Sequence, residues 1–368
     1  MRAMTGPDPL LLAVALSAAG RHPAAWREPD ARPTELLTPR YWVDLVTEAD
    51  RGGIDLVTFD DELVLQPDGV RGRLDAVLTA ARVAPLTRRV GLVPTAVATH
   101  TEPFHLSKAV ATLDYVSAGR AGIHVEVTAG ADAARHFGRR EVPESRRELY
   151  DEAADYVEVL RRLWDSWEDD AEIRDAATGR FVDRNKLHYI DFEGRWFSVK
   201  GPSITPRPPQ GLPPVAATYT GDDSGDFVAG ADIAFIPAGT AAAGTTPLGS
   251  ALTFVDLVVF LDDSAERAVA RRRRLDDLHG SEVGFPTEVF TGTAAQLADR
   301  LEDWQRAGAT GVRLHPGALP HDLTQISAQL TGELGRRGPA SQRTGTLRNI
   351  LGLPRPVNRY AITGEDAR

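Results

Sequence analysis

Eight apolar runs of strand length recur along the 368-residue chain, and they constrain its fold more than any other feature. The predicted strands are Leu10–Leu16, Ile54–Phe59, Val90–Ala98, Gly122–Thr128, Pro214–Thr218, Ile233–Pro237, Phe254–Leu261 and Val312–His315. Stretches with helical spacing of apolar residues separate them, which indicates a parallel sheet covered on its faces. Eight such strands suffice for a closed barrel, so we predict an α/β fold, the (β/α)8 or TIM barrel.

The connection after the fourth strand, residues 129–213, is far too long for an ordinary loop. It begins with a predicted helix, Glu144–Trp167, and ends in a proline-rich segment that cannot form helix interior. Because long insertions in compact domains are usually functional, we expect this one over the C-terminal mouth of the barrel. Residues 1–340 are assigned to one barrel domain and 341–368 to a C-terminal tail. The other predicted helices are Tyr41–Arg51, Arg71–Leu86, His105–Leu113, Ala265–Leu278 and Thr293–Ala307.

Composition excludes several classes of function. The formal charge of −10 argues against nucleic acid or an anionic membrane as the main partner. The chain has no cysteine, so disulfides, thiolate metal sites and cysteine nucleophiles are absent. The apolar run Leu10–Ala19 is too short to span a bilayer and is interpreted as a buried strand. We therefore expect a cytoplasmic protein without a membrane partner.

Histidines near strands three and four are the first candidates for chemistry. His100 and His105 follow the third strand, where such barrels place their active sites. His124 and Glu126 share one face of the fourth strand, but without further ligands nearby they predict no metal site. The glycines at 239 and 244 superficially resemble a phosphate loop, yet the required lysine is missing. No nucleophile, catalytic-lysine or metal motif appears, which favours chemistry supplied by a cofactor.

Motifs along nearly the whole chain resemble the bacterial-luciferase-like flavin monooxygenases, in particular the branch of nitrilotriacetate monooxygenase, pristinamycin synthase and dibenzothiophene-sulfone monooxygenase. The motifs are His22–Pro29, Tyr41–Trp42, Phe59–Asp61, Glu102–Leu106, Ala111–Asp114, Ser117–Gly122, Ala129–Gly138, Tyr150–Ala154, Leu163–Ala171, Phe197–Pro202, Pro206–Gly211, Gly292–Thr293 with Trp304, and Thr346–Pro356. Each motif is weak alone, but their combination and order are specific.

The resemblance implies a homodimeric, FMN-dependent monooxygenase of two-component type. A separate NAD(P)H-dependent reductase would supply reduced FMN, which with O2 would oxygenate a small organic substrate. The resemblance assigns flavin contacts to Asp60, Thr95, Arg146, Tyr150 and, after strand five, to Thr220 or Ser224. From periodicity alone, Tyr150 is better explained as a core side chain. We expect His100, His105 and His124 to supply the polar edge of the oxygen-activating pocket.

Some positions depart from the family pattern. Arg146 stands where the family has histidine, His124 where it has asparagine, and the segment 218–224 lacks the usual glycine and serine signature. These departures leave two alternatives open: a deazaflavin-dependent oxidoreductase of the same fold, and a non-catalytic partner subunit with weakened flavin binding. Dimerisation is expected through the apolar helical faces near Phe104–Leu113 and Tyr150–Leu163.

Overall fold

The computed structural model describes residues 9–141, 145–242, 249, 251–338 and 344–361. The strands are β1 (Leu11–Leu16), β2 (Leu56–Phe59), β3 (Gly91–Val97), β4 (Ile123–Glu126), β5 (Glu172–Asp175), β6 (Arg180–Val182), β7 (Phe192–Glu193), β8 (Ser198–Val199), β9 (Val215–Thr218), β10 (Ile233–Pro237), β11 (Leu252–Leu261), β12 (Val289–Gly292) and β13 (Gly311–Pro316).

Helices cover the strands on the outside. They are α1 (Pro39–Arg51), α2 (Ala76–Val83), α3 (Pro103–Val116), α4 (Ala131–Phe137), α5 (Arg146–Asp165), α6 (Gly225–Ala229), α7 (Ala238–Ala242), α8 (Ala265–His279), α9 (Ala294–Arg306), α10 (His321–Gln325), α11 (Thr331–Arg337) and α12 (Leu347–Leu351). Within the described residues, no helix combines the length and the apolar character needed to cross a bilayer.

Eight parallel strands close into a barrel in the order β1, β2, β3, β4, β9, β10, β11 and β13. Closure comes from the β10–β11 pairing and from the β1–β13 pairing, in which Leu11 lies opposite Gly311. All eight correspond to strands predicted from the apolar runs, so the predicted barrel is confirmed. The short strand β12 was not predicted; it pairs with the second half of β11.

Side chains from alternate strand positions fill the N-terminal half of the barrel with an apolar layer. The layer comprises Leu11, Ala13, Leu56, Val93, Ala216, Ile233, Phe235 and Phe254. Leu347 and Leu351 of α12 join this cluster from below. A Cβ on Gly91 would lie 2.5 Å from Leu347, so the glycine provides the space in which the tail helix packs. Helix α12 of the predicted tail thus contributes to the barrel core.

The insertion after β4 does not lie over the mouth along its whole length. Its first part does: the ring of Phe137, in α4, stacks on His100 beyond β3. The following helix α5 packs against α3, where the Trp164 indole donates to the Ser107 carbonyl at 2.9 Å. The last part reaches the opposite end, because Gln210 donates to the Ala121 carbonyl just before β4. The prediction of a mouth-covering insertion is therefore wrong for this last part.

Two other expectations need correction. Helix α2 begins at Ala76 rather than Arg71, because Asp75 caps it by accepting from the Leu78 amide at 2.7 Å. The apolar faces of α3 and α5 that suggested dimerisation are buried against each other. Helix α5 begins at Arg146; Glu144, its predicted start, lies outside the described residues.

Candidate active site

A cavity of about 620 Å³ occupies the C-terminal mouth of the barrel. Its walls are the carboxyl ends of the strands and the loops that follow them, the position at which barrels of this type carry chemistry. The lining residues are Arg21, Asp60, Asp61, Glu62, Thr95, Glu126, Thr218, Tyr219, Thr220, Gly221, Pro237, Thr240, Asp256, Val258, Pro286, Thr287, Arg313 and His315. No group of three or more potential metal ligands is found among the described residues.

The floor of the cavity contains a buried ion pair. Asp256 on β11 and Arg313 on β13 lie opposite each other in register, and two hydrogen bonds of 2.6 Å join them. The Arg313 guanidinium also lies 3.5 Å above the ring centroid of Phe235. Burial alone would raise the pKa of Asp256, but Arg313 and His315 hold it far below its ordinary value. Both charges therefore persist at neutral pH.

His124 lies between two threonine hydroxyls of neighbouring strands. Its Nδ1 is 3.1 Å from the Thr95 Oγ1, and its Nε2 is 2.9 Å from the Thr218 Oγ1. Burial, together with the positive charge of Arg313, lowers the pKa of His124 to about 3. The imidazole is consequently neutral at physiological pH. It can orient or donate a hydrogen bond, but it does not act there as a cationic acid.

Carboxylates dominate the rim above this layer. Asp60 follows β2 and accepts from Arg21 at 3.1 Å. Burial opposes its ionisation, but Arg21, His315 and Arg313 keep the pKa of Asp60 below the ordinary value. Glu126 differs: removal from bulk water, and then the charge of Asp60, raises the pKa of Glu126 to about 7. Glu126 is therefore the group of this rim that can take up or release a proton near neutral pH.

Hydroxyl groups cluster at one edge of the cavity, where α5 meets the loop after β9. The Tyr150 hydroxyl lies 2.5 Å from the Thr220 Oγ1. The Thr220 amide donates to Ser224, whose hydroxyl donates to the Gly221 carbonyl at 2.7 Å. Tyr150 is buried and packs against Phe227, whereas Arg146 is exposed one turn earlier on the same helix.

The structure brings only some of the sequence-predicted residues to the cavity. Asp60, Thr95 and Thr220 line it, Tyr150 and Ser224 support Thr220, and His124 lies behind Thr95. His105 is exposed on the first turn of α3 and is not a lining residue. His100 is buried and also outside the lining; its two ring nitrogens have no hydrogen-bond partner among the described residues.

Sequence reasoning missed the charged residues of the interior: Arg21, Asp256, Arg313 and His315. A signal was present, because Asp256 and Arg313 interrupt runs that are otherwise apolar. Charged side chains are almost never buried unless they are paired, so an acid and a base in two predicted core strands indicate a partnership. Which strands are neighbours, however, follows only from the closed topology.

Comparison with known proteins gives a consistent result. The luciferase-like monooxygenase family matches residues 17–243. N-acetyl-S-(2-succino)cysteine monooxygenase of Bacillus subtilis is 29% identical, over 95% of this chain and 98% of that protein. Nitrilotriacetate monooxygenase component A of Aminobacter aminovorans is 26% identical, over 93% and 96%. The structure of EDTA monooxygenase from Chelativorans sp. BNC1 superimposes with a TM-score of 0.81 at 24% identity, covering 95% of this chain and 99% of that one.

Removal of Asp256 is expected to destabilise the fold strongly. Asp256→Ala would leave the Arg313 guanidinium buried without its counter-charge, which costs about 3–5 kcal/mol. The double variant Asp256→Leu with Arg313→Met removes both charges and should recover most of that loss. Urea unfolding monitored by circular dichroism measures the change. Asp263→Ala, which breaks an exposed pair with Arg267, is the control. A loss no larger than in this control would contradict a structural role for the buried pair.

Proposed function

We propose that this chain, which belongs to the luciferase-like monooxygenase family and is a flavin-dependent monooxygenase, binds reduced FMN in the mouth cavity. There it would oxygenate a small organic substrate with O2. The observation that carries the FMN assignment is the hydroxyl pair of Tyr150 and Thr220 at the cavity edge. Hydroxyls donate strong, charge-assisted hydrogen bonds to phosphate oxygens. Arg146, on the same face of α5 as Tyr150, adds a cation for the phosphate.

The residues of the cavity fit a flavin whose phosphate lies at Tyr150 and Thr220. His315 lines the cavity and is buried; its Nε2 lies 3.3 Å from the Asp256 Oδ1 but forms no hydrogen bond among the described residues. A buried polar atom without a partner is costly, and a polar ligand would satisfy it. Asp60 and Thr95 would hold the ring system, with the neutral His124 fixing the Thr95 hydroxyl. Bound reduced flavin would supply the two electrons with which one oxygen atom enters the substrate and the other leaves as water.

Exclusion of water from below the cavity is one contribution of the protein itself. Water in such a site competes with substrate for activated oxygen and ends in released peroxide. The apolar layer and α12 close the barrel from below. We propose that reduced flavin comes from a separate NAD(P)H-dependent reductase, because one relative carries the designation component A. An NAD(P)H-linked supply favours a cytoplasmic reaction.

Loss of the phosphate-edge hydroxyls is expected to weaken FMN binding. Tyr150→Phe or Thr220→Val would each remove one charge-assisted hydrogen bond, which corresponds to about tenfold in affinity. Riboflavin has the same ring system without the phosphate, so its affinity should not change. Fluorescence titration with both flavins measures the difference. Tyr189→Phe is the control, because Tyr189 is exposed far from the cavity. Equal losses for FMN and riboflavin, or no FMN binding by the wild-type chain, would contradict the proposal.

The histidines are expected to differ in their effect on oxygen use. His124→Gln would disturb the Thr95 and Thr218 hydroxyls and should increase the peroxide released per reduced FMN oxidised. His100→Gln is expected to leave flavin affinity unchanged, because His100 is buried outside the cavity lining. His105→Gln is the matched control, since His105 is exposed on α3. Chemically reduced FMN and a peroxide assay give the measurement. Identical values in all three variants would remove histidine from the mechanism.

We also propose a homodimer that uses the face formed by α2, the turn after it and the end of α3. Leu78, Leu86, Tyr115 and Val116 are large apolar side chains exposed on this face, with 70% of Leu78 accessible. Exposed apolar patches mark interfaces. Sedimentation at micromolar concentration should give a dimer, and Leu78→Glu should shift it toward monomer. Val357→Glu, on an exposed tail residue, should not. A wild-type monomer would rule out the assembly.

A further inference from the structure

The charges on the cavity wall are strongly unbalanced. Five carboxylates line it, from Asp60, Asp61, Glu62, Glu126 and Asp256, against two guanidiniums, from Arg21 and Arg313. Both guanidiniums already form ion pairs, Arg21 with Asp60 and Arg313 with Asp256. Neither is free to neutralise a further anion.

The remaining three carboxylates have different partners. Glu62 accepts from Arg73, at 2.8 Å, and Asp61 accepts from the amides of Glu62 and Ala76. Glu126 has only His124, whose Nε2 lies 3.5 Å away without a hydrogen bond between them. Because His124 is neutral, Glu126 faces the cavity without a cationic partner. Burial, and then the charge of Asp60, raises the pKa of Glu126, and the more distant Arg313 and Arg21 offset only part of this effect.

Among the described residues that line the cavity, Arg21 and Arg313 are the only cationic side chains. The loop after β10 contributes only Thr240 to this described lining. The phosphate of a bound flavin would add further negative charge. His315, buried on the wall, is neutral because burial lowers its pKa. Its Nε2 lies 3.3 Å from the Asp256 Oδ1, so it does not compensate a further carboxylate.

We infer that the substrate of this enzyme carries a cationic nitrogen, an amine or ammonium group, which the carboxylate of Glu126 recognises. The inference rests on the proposed function of the cavity as the flavin and substrate site. An ammonium group supplies the missing counter-charge, and its hydrogen-bond donors suit the carboxylate of Glu126. A polycarboxylate would bring like charge to an acidic wall whose two arginines are already paired, which costs binding energy.

Three probes of nearly equal shape test the inference: 3-methylbutan-1-amine as cation, 3-methylbutan-1-ol as neutral analogue and 3-methylbutanoate as anion. Binding to the full chain is measured by calorimetry, with and without saturating FMN. We expect the amine to bind about tenfold more tightly than the alcohol, as for one charge-assisted hydrogen bond, and the carboxylate to bind most weakly.

Variants identify the residue responsible. Glu126→Gln should lose the preference for the amine while keeping its affinity for the alcohol, and the retained alcohol affinity also reports that the cavity is folded. Glu126→Asp, which keeps the charge, should retain part of the preference. Glu102→Gln is the matched control, because this exposed glutamate pairs with Arg139 and does not line the cavity.

The outcomes separate this inference from the proposed function. Equal or tighter binding of the carboxylate, an unchanged amine affinity in Glu126→Gln, or no binding of any probe would overturn the cationic substrate. Flavin titration of the same preparations tests the proposed function independently. If FMN binds but the amine preference is absent, only the substrate class is wrong.

Discussion

Closure of the eight-stranded ladder is the constraint on which the rest of the structure depends. Once β10 pairs with β11 and β1 with β13, every second residue of each strand must face the interior. The lower positions are apolar and are closed by Leu347 and Leu351. The next inward position on β11 is Asp256, and the corresponding one on β13 is Arg313. A layer of charged side chains therefore lies directly above the apolar layer.

The Asp256–Arg313 pair then sets the electrostatics of the whole mouth. Two charges in a dry interior are tolerated only with good mutual geometry, which the register between the two strands provides. Arg313 helps to keep His124 neutral and Asp60 ionised. It does not compensate Glu126 to the same degree, and burial together with Asp60 raises the pKa of Glu126 to about 7. Burial and the charges of Arg21, Arg313 and Asp60 thus give three neighbouring groups three different protonation states.

The fold was predictable because its strands are buried on both sides, which makes them continuous apolar runs that are easily found. The short β12 was missed because it adds only four residues to the outer half of β11. The start of α2 was misplaced because the Asp75 cap overrides the helical pattern of the preceding residues. The path of residues 166–213 depends on distant partners such as Gln210 with Asp114, which no local pattern specifies.

In the site, too, residues marked by a local pattern were predicted, and those defined by distant partners were not. Asp60 and Thr95 were identified because they stand at strand ends and match a family pattern, and the cavity contains both. His105 satisfied the same positional argument but lies on the outward side of α3, since a residue that opens a helix can face either way. The partnerships of Arg21 with Asp60 and of Arg313 with Asp256 require knowledge of which strands are neighbours.

Hydroxyls and carboxylates share the wall of the cavity. At the α5 edge, hydroxyls of Tyr150 and Thr220 meet without a carboxylate between them, which suits a phosphate. Glu126 on the neighbouring strand β4, and Asp60 beyond β2, are acidic groups that a phosphate would avoid. Like-charge repulsion is a form of specificity, because it rejects the wrong orientation as effectively as contacts select the right one. We therefore propose that a phosphorylated ligand places its phosphate at the hydroxyls and its ring towards Asp60, and that repulsion disfavours the reverse orientation.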